Sequence, residues 1–327
     1  MHRSYKFFPV ALLSFASLFA ANHVAAQTPW PSKPITILVG YASGGLSDLL
    51  ARVIGEKLHT RLGQPVVVDI KSGASASIAT AALARAKPDG YTFGIVTSNH
   101  ATNPSLMHNL AYTDEDFSAV SLLAKMHMVL VVSTRATSAR DLTSFLAEGK
   151  ANPDGILYAS AGSGNMTHMS GELLADLTGQ PFTQVPYRGG GAAIMDLMGG
   201  QVPSQFVGVQ TLLAQLQGEA EKLLHPLAVA SQTRLDTLPD VPTFSELGYP
   251  ELVISEWQAL IAPAGTPIEI INTMSAHIQE ILQLPDVRQR LPGVVLQGST
   301  PEALQAFMQA ETRRWSTLLA QRQAGKN

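Results

Sequence analysis

Ile35-Thr36-Ile37-Leu38-Val39, running directly into Gly40-Tyr41-Ala42-Ser43-Gly44-Gly45, is the stretch on which the fold class turns. An unbroken run of apolar and β-branched residues reads as a strand buried on both faces. Behind the glycine loop, Leu49, Leu50, Val53, Ile54, Leu58 and Leu62 recur at helical spacing, with Ser47 or Asp48 to cap the start and Gly63 to end it. A buried strand, a glycine loop and a helix make half of a βαβ unit, so the chain is expected to be α/β.

The theme repeats outward. Val66 to Val68 gives a second strand, Ser77 to Ala86 an Ala-rich helix, and the turn Pro88-Asp89-Gly90 leads into a third strand through Phe93 to Val96. A polar stretch, Thr97 to Pro104, leaves that strand. Met128 to Val132 and Leu157 to Ala159 are strands, each followed by a helix, over Asp141 to Gly149 and Thr167 to Leu177. A strand precedes Tyr187, Leu227 to Ala230 and Trp257 to Ala262 are further short strands, and Pro267 to Leu284 and Pro301 to Ala320 are helical. There is no repeat and no linker of biased composition.

Three loops rich in small residues, Ala42 to Ser47, Gly73 to Ser77 and Ser160 to Asn165, each follow a strand and precede a helix. There the next helix presents unpaired N–H groups and the positive end of its dipole, glycine admits close approach, and hydroxyls add donors. Together they can hold a carboxylate without arginine. Catalytic readings are poorer. Ala161-Gly162-Ser163-Gly164-Asn165 misses the Gly-x-Ser-x-Gly elbow, no phosphate loop is present, and Gly162-Ser163-Gly164 lacks the third glycine of a dinucleotide fingerprint. His168 and Glu172 make only half a metal site, so no metal and no cofactor are expected. A hydrolase built on Ser163 and His168 is the weakest alternative.

Composition narrows the setting. Arg3 and Lys6 precede an apolar run, Phe7 to Ala21, and Val24-Ala25-Ala26 offers a cleavage site, so 1–26 read as a signal peptide and the protein as periplasmic. Without Arg3 and Lys6 the basic count falls from 22 to 20 against 25 acids, a net charge of −5, which argues against nucleic acid as a partner. With no cysteine there is neither a disulfide nor a lipid attachment point.

An ordered series of short motifs then carries a resemblance. It runs through Trp30-Pro31-Ser32-Lys33-Pro34-Ile35, Gly44-Gly45 with Asp48, Pro88-Asp89-Gly90-Tyr91-Thr92, Asn103-Pro104-Ser105-Leu106 and Tyr158-Ala159-Ser160. His168, Gly171-Glu172-Leu173, Val185-Pro186-Tyr187-Arg188-Gly189-Gly190, Gly199-Gly200-Gln201-Val202 and Leu238-Pro239-Asp240-Val241-Pro242-Thr243 continue it. Ala262-Pro263-Ala264-Gly265-Thr266-Pro267 and Gly298-Ser299-Thr300-Pro301-Glu302 complete it. The sequence resembles the Bug family of extracytoplasmic receptors, the binding proteins of tripartite tricarboxylate transporters.

The resemblance implies a two-lobed, Venus-flytrap protein of the type II periplasmic binding class, a monomer and not an enzyme. Residues 27–129 with 251–327 would form one lobe and 130–250 the other. A small carboxylate would lie between them for delivery to the membrane components of the transporter. Apart from the resemblance, the same cleft also suits a ligand-dependent sensor, whose closed form docks on a membrane signalling receptor. The ligand contacts so implied are Ala42, Ser43, Gly44, Gly45, Ser98 and Asn99 from one lobe. From the other come Ser160, Gly162, Ser163, Asn165, His168, Tyr187 and Arg188. Ala42 and Ser43 stand where the family's first loop usually has two prolines. Pro203 and Val207 stand where it often has aspartates that can receive an amino group, which argues against an amino-acid ligand.

Overall fold

The structure, a computed structural model, describes residue 2 and residues 30–187 and 189–324; the rest of the expected signal segment and Arg188 lie outside them. The elements in chain order are β1 (Ile35–Val39), α1 (Leu46–Leu62), β2 (Val66–Ile70), α2 (Ser77–Ala84), β3 (Thr92–Thr97), α3 (Asn99–Leu106) and β4 (Phe117–Ser133). They continue with α4 (Leu142–Lys150), β5 (Ile156–Ser160), α5 (Met166–Thr178), β6 (Phe182–Pro186), α6 (Gly190–Gly199), β7 (Ser204–Gly208), α7 (Val209–Gln215) and β8 (Leu224–Val229). The chain closes with β9 (Ser255–Pro263), α8 (Ile268–Ile281), α9 (Pro285–Gln289), β10 (Val295–Leu296) and α10 (Pro301–Ala324).

The strands form one sheet in the order β2-β1-β3-β9-β4-β7-β5-β6, with β8 and β10 also paired to β4. β1 is parallel to β2 and β3, and β5 is parallel to β6 and β7. Between these two parallel triplets lie β9 and β4, each antiparallel to its neighbours. β4 serves both halves: Phe117 to His127 pairs with β9, and Met128 to Ser133 with β7 and β8. Its register shifts at Ala119/Ser121, Leu122/Ala124 and Leu130/Val131, irregularities of the kind that bend a strand.

Register fixes where the loops meet. Thr97, the last residue of β3, is level with Gln258 of β9, which is level with Ala124 of β4. Gly208, the last residue of β7, is level with Met128. The two triplets run in opposite senses, so their carboxyl ends converge on the middle of β4, around residues 124–128. Every strand–helix loop of both triplets opens toward that line.

Three apolar clusters hold the elements. One joins β1, β3 and β9 to α1 and α8 through residues such as Ile37, Leu50, Ile54, Phe93, Met274 and Ile278. A second packs β7 and β8 against α6 and α7. The third runs across both halves, from Leu83 and Val96 through Leu130 and Phe206 to Trp257 and Trp315. Glu311 of α10 accepts the indole N–H groups of Trp257 at 3.3 Å and Trp315 at 3.4 Å, which satisfies both buried rings.

Most elements named from the apolar pattern lie where it puts them, but it named none of α6, β7 and α7, and three further differences stand out. The polar stretch after β3 is a helix, α3, because its polar residues find partners in the fold: Thr102 Oγ1 donates to Asn99 O and to Gly164 O, and Asn103 Nδ2 to Ser75 O. β4 begins eleven residues before Met128. Neither Ser47 nor Asp48 caps α1: Gly45 is its N-cap, and Asp48, inside the first turn, reaches back to accept from Gly44 N at 2.9 Å.

Candidate ligand site

A cavity of about 520 Å³ lies where the loops converge, a size that suits a small organic molecule. Gly44, Gly45, Leu46 and Leu49 line it from the first loop and α1, and Met126 and Glu256 from the middle of β4 and β9. Ala161, Thr167, Gly190, Gly191, Gln205, Val207 and Gly208 line it from the other half. Met126 and Glu256 are cross-strand partners. A Cβ on Gly208 would stand 2.3 Å from the Met126 methyl, so the glycine is what lets that side chain lie against β7.

Two helices face the cavity with N-termini that no side chain caps, α1 at Gly45 and α6 at Gly189. They differ in charge. The first turn of α1 contains Asp48, which is buried and paired with Arg52 at 2.8 Å, whereas α6 has no acid in its first turn. Gln205 of β7 is fully buried, and neither its Oε1 nor its Nε2 makes a hydrogen bond with the described residues. Glu256 accepts one hydrogen bond, 3.3 Å from Gln258 Nε2, and Gln258 is itself fixed by the Ser47 hydroxyl at 2.7 Å. Burial alone pushes the Glu256 carboxyl up to about 7. No Lys or Arg is among the described residues that line the cavity.

Of the expected contacts, Gly44 and Gly45 line this cavity directly, and Ala42 and Ser43 are exposed in the same loop. Gly44 has φ +88° and Gly162 φ +126°, conformations that side chains rarely adopt. Ser98 and Asn99 are buried at the start of α3 and are not part of the lining; the Ser98 hydroxyl has no partner among the described residues. The loop after β5 is largely bonded to itself. Asn165 Oδ1 accepts from His168 N at 3.1 Å and Thr167 Oγ1 at 2.6 Å, Thr167 Oγ1 accepts from Ala161 N, and Ser160 Oγ accepts from Gln184 Nε2 at 2.6 Å.

His168 Nδ1 accepts from Gly164 N at 3.1 Å, and its Nε2 faces Glu172 at 3.7 Å, so the ring is engaged away from Ser163, which is exposed. The Tyr187 hydroxyl donates to Asp196 at 2.9 Å, and burial, followed by that carboxylate, raises its pKa. Arg188 is outside the described residues.

The second small-residue loop does not reach the cavity. Ala74, Ser75 and Ala76 all have positive φ, and Ala76 lies so close over Gly40 that a Cβ there would meet it at 2.3 Å. That loop buttresses the first. A smaller cavity, about 240 Å³, lies under α4, but its carboxylate, Glu148, is already taken by the hydroxyls of Thr137 and Ser138. Gln205 and Glu256 escaped the sequence reading. The available signal was an acid set at the start of the apolar run 255–263, where a strand buried against its neighbours has no use for charge.

Over residues 50–324 the chain matches the family described as tripartite tricarboxylate transporter family receptor. It belongs to that family. The receptor is 35% identical over 315 residues to Protein BugT of Bordetella pertussis, covering 93% of its own chain and 95% of BugT. Among solved structures it superposes on the periplasmic binding protein BugD with a TM-score of 0.77 at 30% identity, over 89% of the receptor and 98% of BugD. It superposes equally on MatC from Rhodopseudomonas palustris with bound malate, TM-score 0.77 at 31% identity, over 88% and 99% of the two chains. The architecture is that of the periplasmic binding proteins, and the family consists of solute receptors, not enzymes.

Proposed function

We propose that the receptor captures a small organic carboxylate in the cavity between the two halves and presents it to the membrane components of a tripartite tricarboxylate transporter. The observation that carries this reading is the cavity itself. It sits at the carboxyl ends of both parallel triplets, with the uncapped N-termini of α1 and α6 at its wall. Backbone N–H groups at such ends hold a carboxylate by hydrogen bonds and dipole. Malate in the MatC structure is a ligand of this kind.

On this reading residues 27–129 with 251–327 form one lobe and 130–250 the other, and the first 26 residues export a monomer to the periplasm. No helix among the described residues is long and apolar enough to cross a membrane. Closure of the lobes completes the ligand's hydrogen bonds, and the closed form is what the transporter meets.

Thermal melting in the presence of small carboxylates, amino acids and neutral analogues tests this. A ligand at 100 times its dissociation constant stabilises the fold by roughly 2.7 kcal/mol. A dose-dependent rise with an acid and not with its amide supports the reading. Stabilisation by the neutral analogue alone overturns it.

A further inference from the structure

The cavity is polarised. Gln205, 0% exposed and level with Val131 of β4, offers a donor and an acceptor that no described residue uses, and the N-terminus of α6 lines the same cavity. A buried amide with both functions unused is costly unless a bound group satisfies it. Glu256, level with Met126 five residues back along β4, is the only ionisable side chain among the described lining residues and has one long hydrogen bond.

The neighbours of Glu256 do not neutralise it. Met126 flanks it from β4, and Gln258 flanks it on its own strand. Ser47 of α1 reaches it only through Gln258, and Asp48 in that turn is committed to Gly44 N and Arg52. Tyr41, in the loop after β1, is held as the neutral phenol by burial, and the nearby Glu256 charge favours the same form. Lys125, adjacent to Met126, places its amine over the Phe307 ring of α10, 4.3 Å from the centroid.

We propose that Glu256, on β9 and not at the Pro203 and Val207 positions where the family often has aspartates, sets specificity by receiving an ammonium group of the ligand, whose carboxylate lies at Gln205 and the N-terminus of α6. The acid missing from β7 is thus supplied from β9, and an amino-acid ligand is restored. The inference rests on the carboxylate reading above and adds the second functional group. A second carboxylate facing an ionised Glu256 sets like charges together with no cation among the described lining residues, and a plain alkyl tail leaves the carboxyl with its one long bond. An ammonium supplies both charge and donors. Because burial holds the carboxyl at about 7, an ammonium that pulls it down makes binding near neutral pH release protons.

Isothermal titration in two buffers of different ionisation enthalpy tests this, with γ-aminobutyrate, succinate and butyrate as one length-matched set and glutamate and glutarate as another. The full chain is compared with Glu256→Gln and Gln205→Leu. The expected result is tightest binding of the amino acids, with proton release, and at least about a tenfold loss for them in Glu256→Gln. The unsubstituted acids change little in that variant, and Gln205→Leu weakens every acid alike.

Tighter binding of succinate or glutarate, with proton uptake and no gain for the amino acids, assigns Glu256 to a protonated donor and overturns the proposal while keeping the carboxylate reading. If none of these acids binds, the carboxylate reading fails and this inference with it. Circular dichroism of each variant separates loss of the site from loss of the fold.

Discussion

Glu256 titrates differently in the folded and unfolded chains, which makes stability depend on pH. Its carboxyl has an ordinary value of 4.5 and is raised to about 7 in the fold. Between those values the folded chain keeps a proton that the unfolded chain has lost, so this group's contribution falls as pH rises through the window. Below about 4.5 both states are protonated and the contribution is whole. Glu256→Gln should therefore flatten the decline, leaving the variant more stable than the parent near pH 8 by on the order of 1–2 kcal/mol and equal to it near pH 4. Urea melts at both pH values read this directly; an identical slope in both proteins shows that the carboxyl is solvated. Glu256 also marks what the sequence could not show. Flanked by Ser255 and Trp257, it looks like the polar lip of a strand, and only the pairing with Met126 turns it into the cavity wall. Gly44 and Gly45 were legible because their chemistry is local: a loop, a glycine pair, a helix start.

β4 and β7 make the floor of the cavity, and their closeness depends on Gly208. In Gly208→Ala the new methyl meets the flexible end of Met126 and not the backbone, so that side chain swings toward the ligand space. The expected outcome is weaker binding of every ligand with melting close to that of the parent, since only a side-chain terminus has to move. Loss of most of the stability instead places the clash in the backbone of β7. At this scale the sequence was legible wherever apolar runs alternate with helical spacing, as in β1–α1 and β5–α5. It was silent over the first part of β4 because Ser118, Ser121, Lys125 and His127 interrupt the pattern. Those interruptions are accommodated by distant partners: the Ser121 hydroxyl donates to Ser299 O at 3.0 Å, and Lys125 covers Phe307. α3 was hidden for the same reason. The sequence around Asn99 and Asn103 carries no apolar stripe, and its order comes from contacts with residues 75 and 164.

Over the whole molecule, a site divided between two halves predicts motion. Small-angle scattering should give a smaller radius of gyration with a saturating ligand than without, and an unchanged radius overturns closure. Thr102 Oγ1 donates to Gly164 O at 3.1 Å, from α3 of one half to the loop of the other, so Thr102→Val should shift the population toward the open form and weaken binding a few-fold. A repeated strand–loop–helix theme was visible in the sequence, but the division into two parallel triplets and their meeting line were not, since both follow from pairing and register alone. That register has a further consequence. β4 is one unbroken strand that supplies the border of both halves, so a cut between 127 and 128 leaves each piece with an open sheet edge and no piece that is whole. Chimeras between relatives therefore have to carry β4 together with β9, β7 and β8. New selectivity in such a receptor is reached by point changes along the meeting line, not by exchanging halves as cassettes.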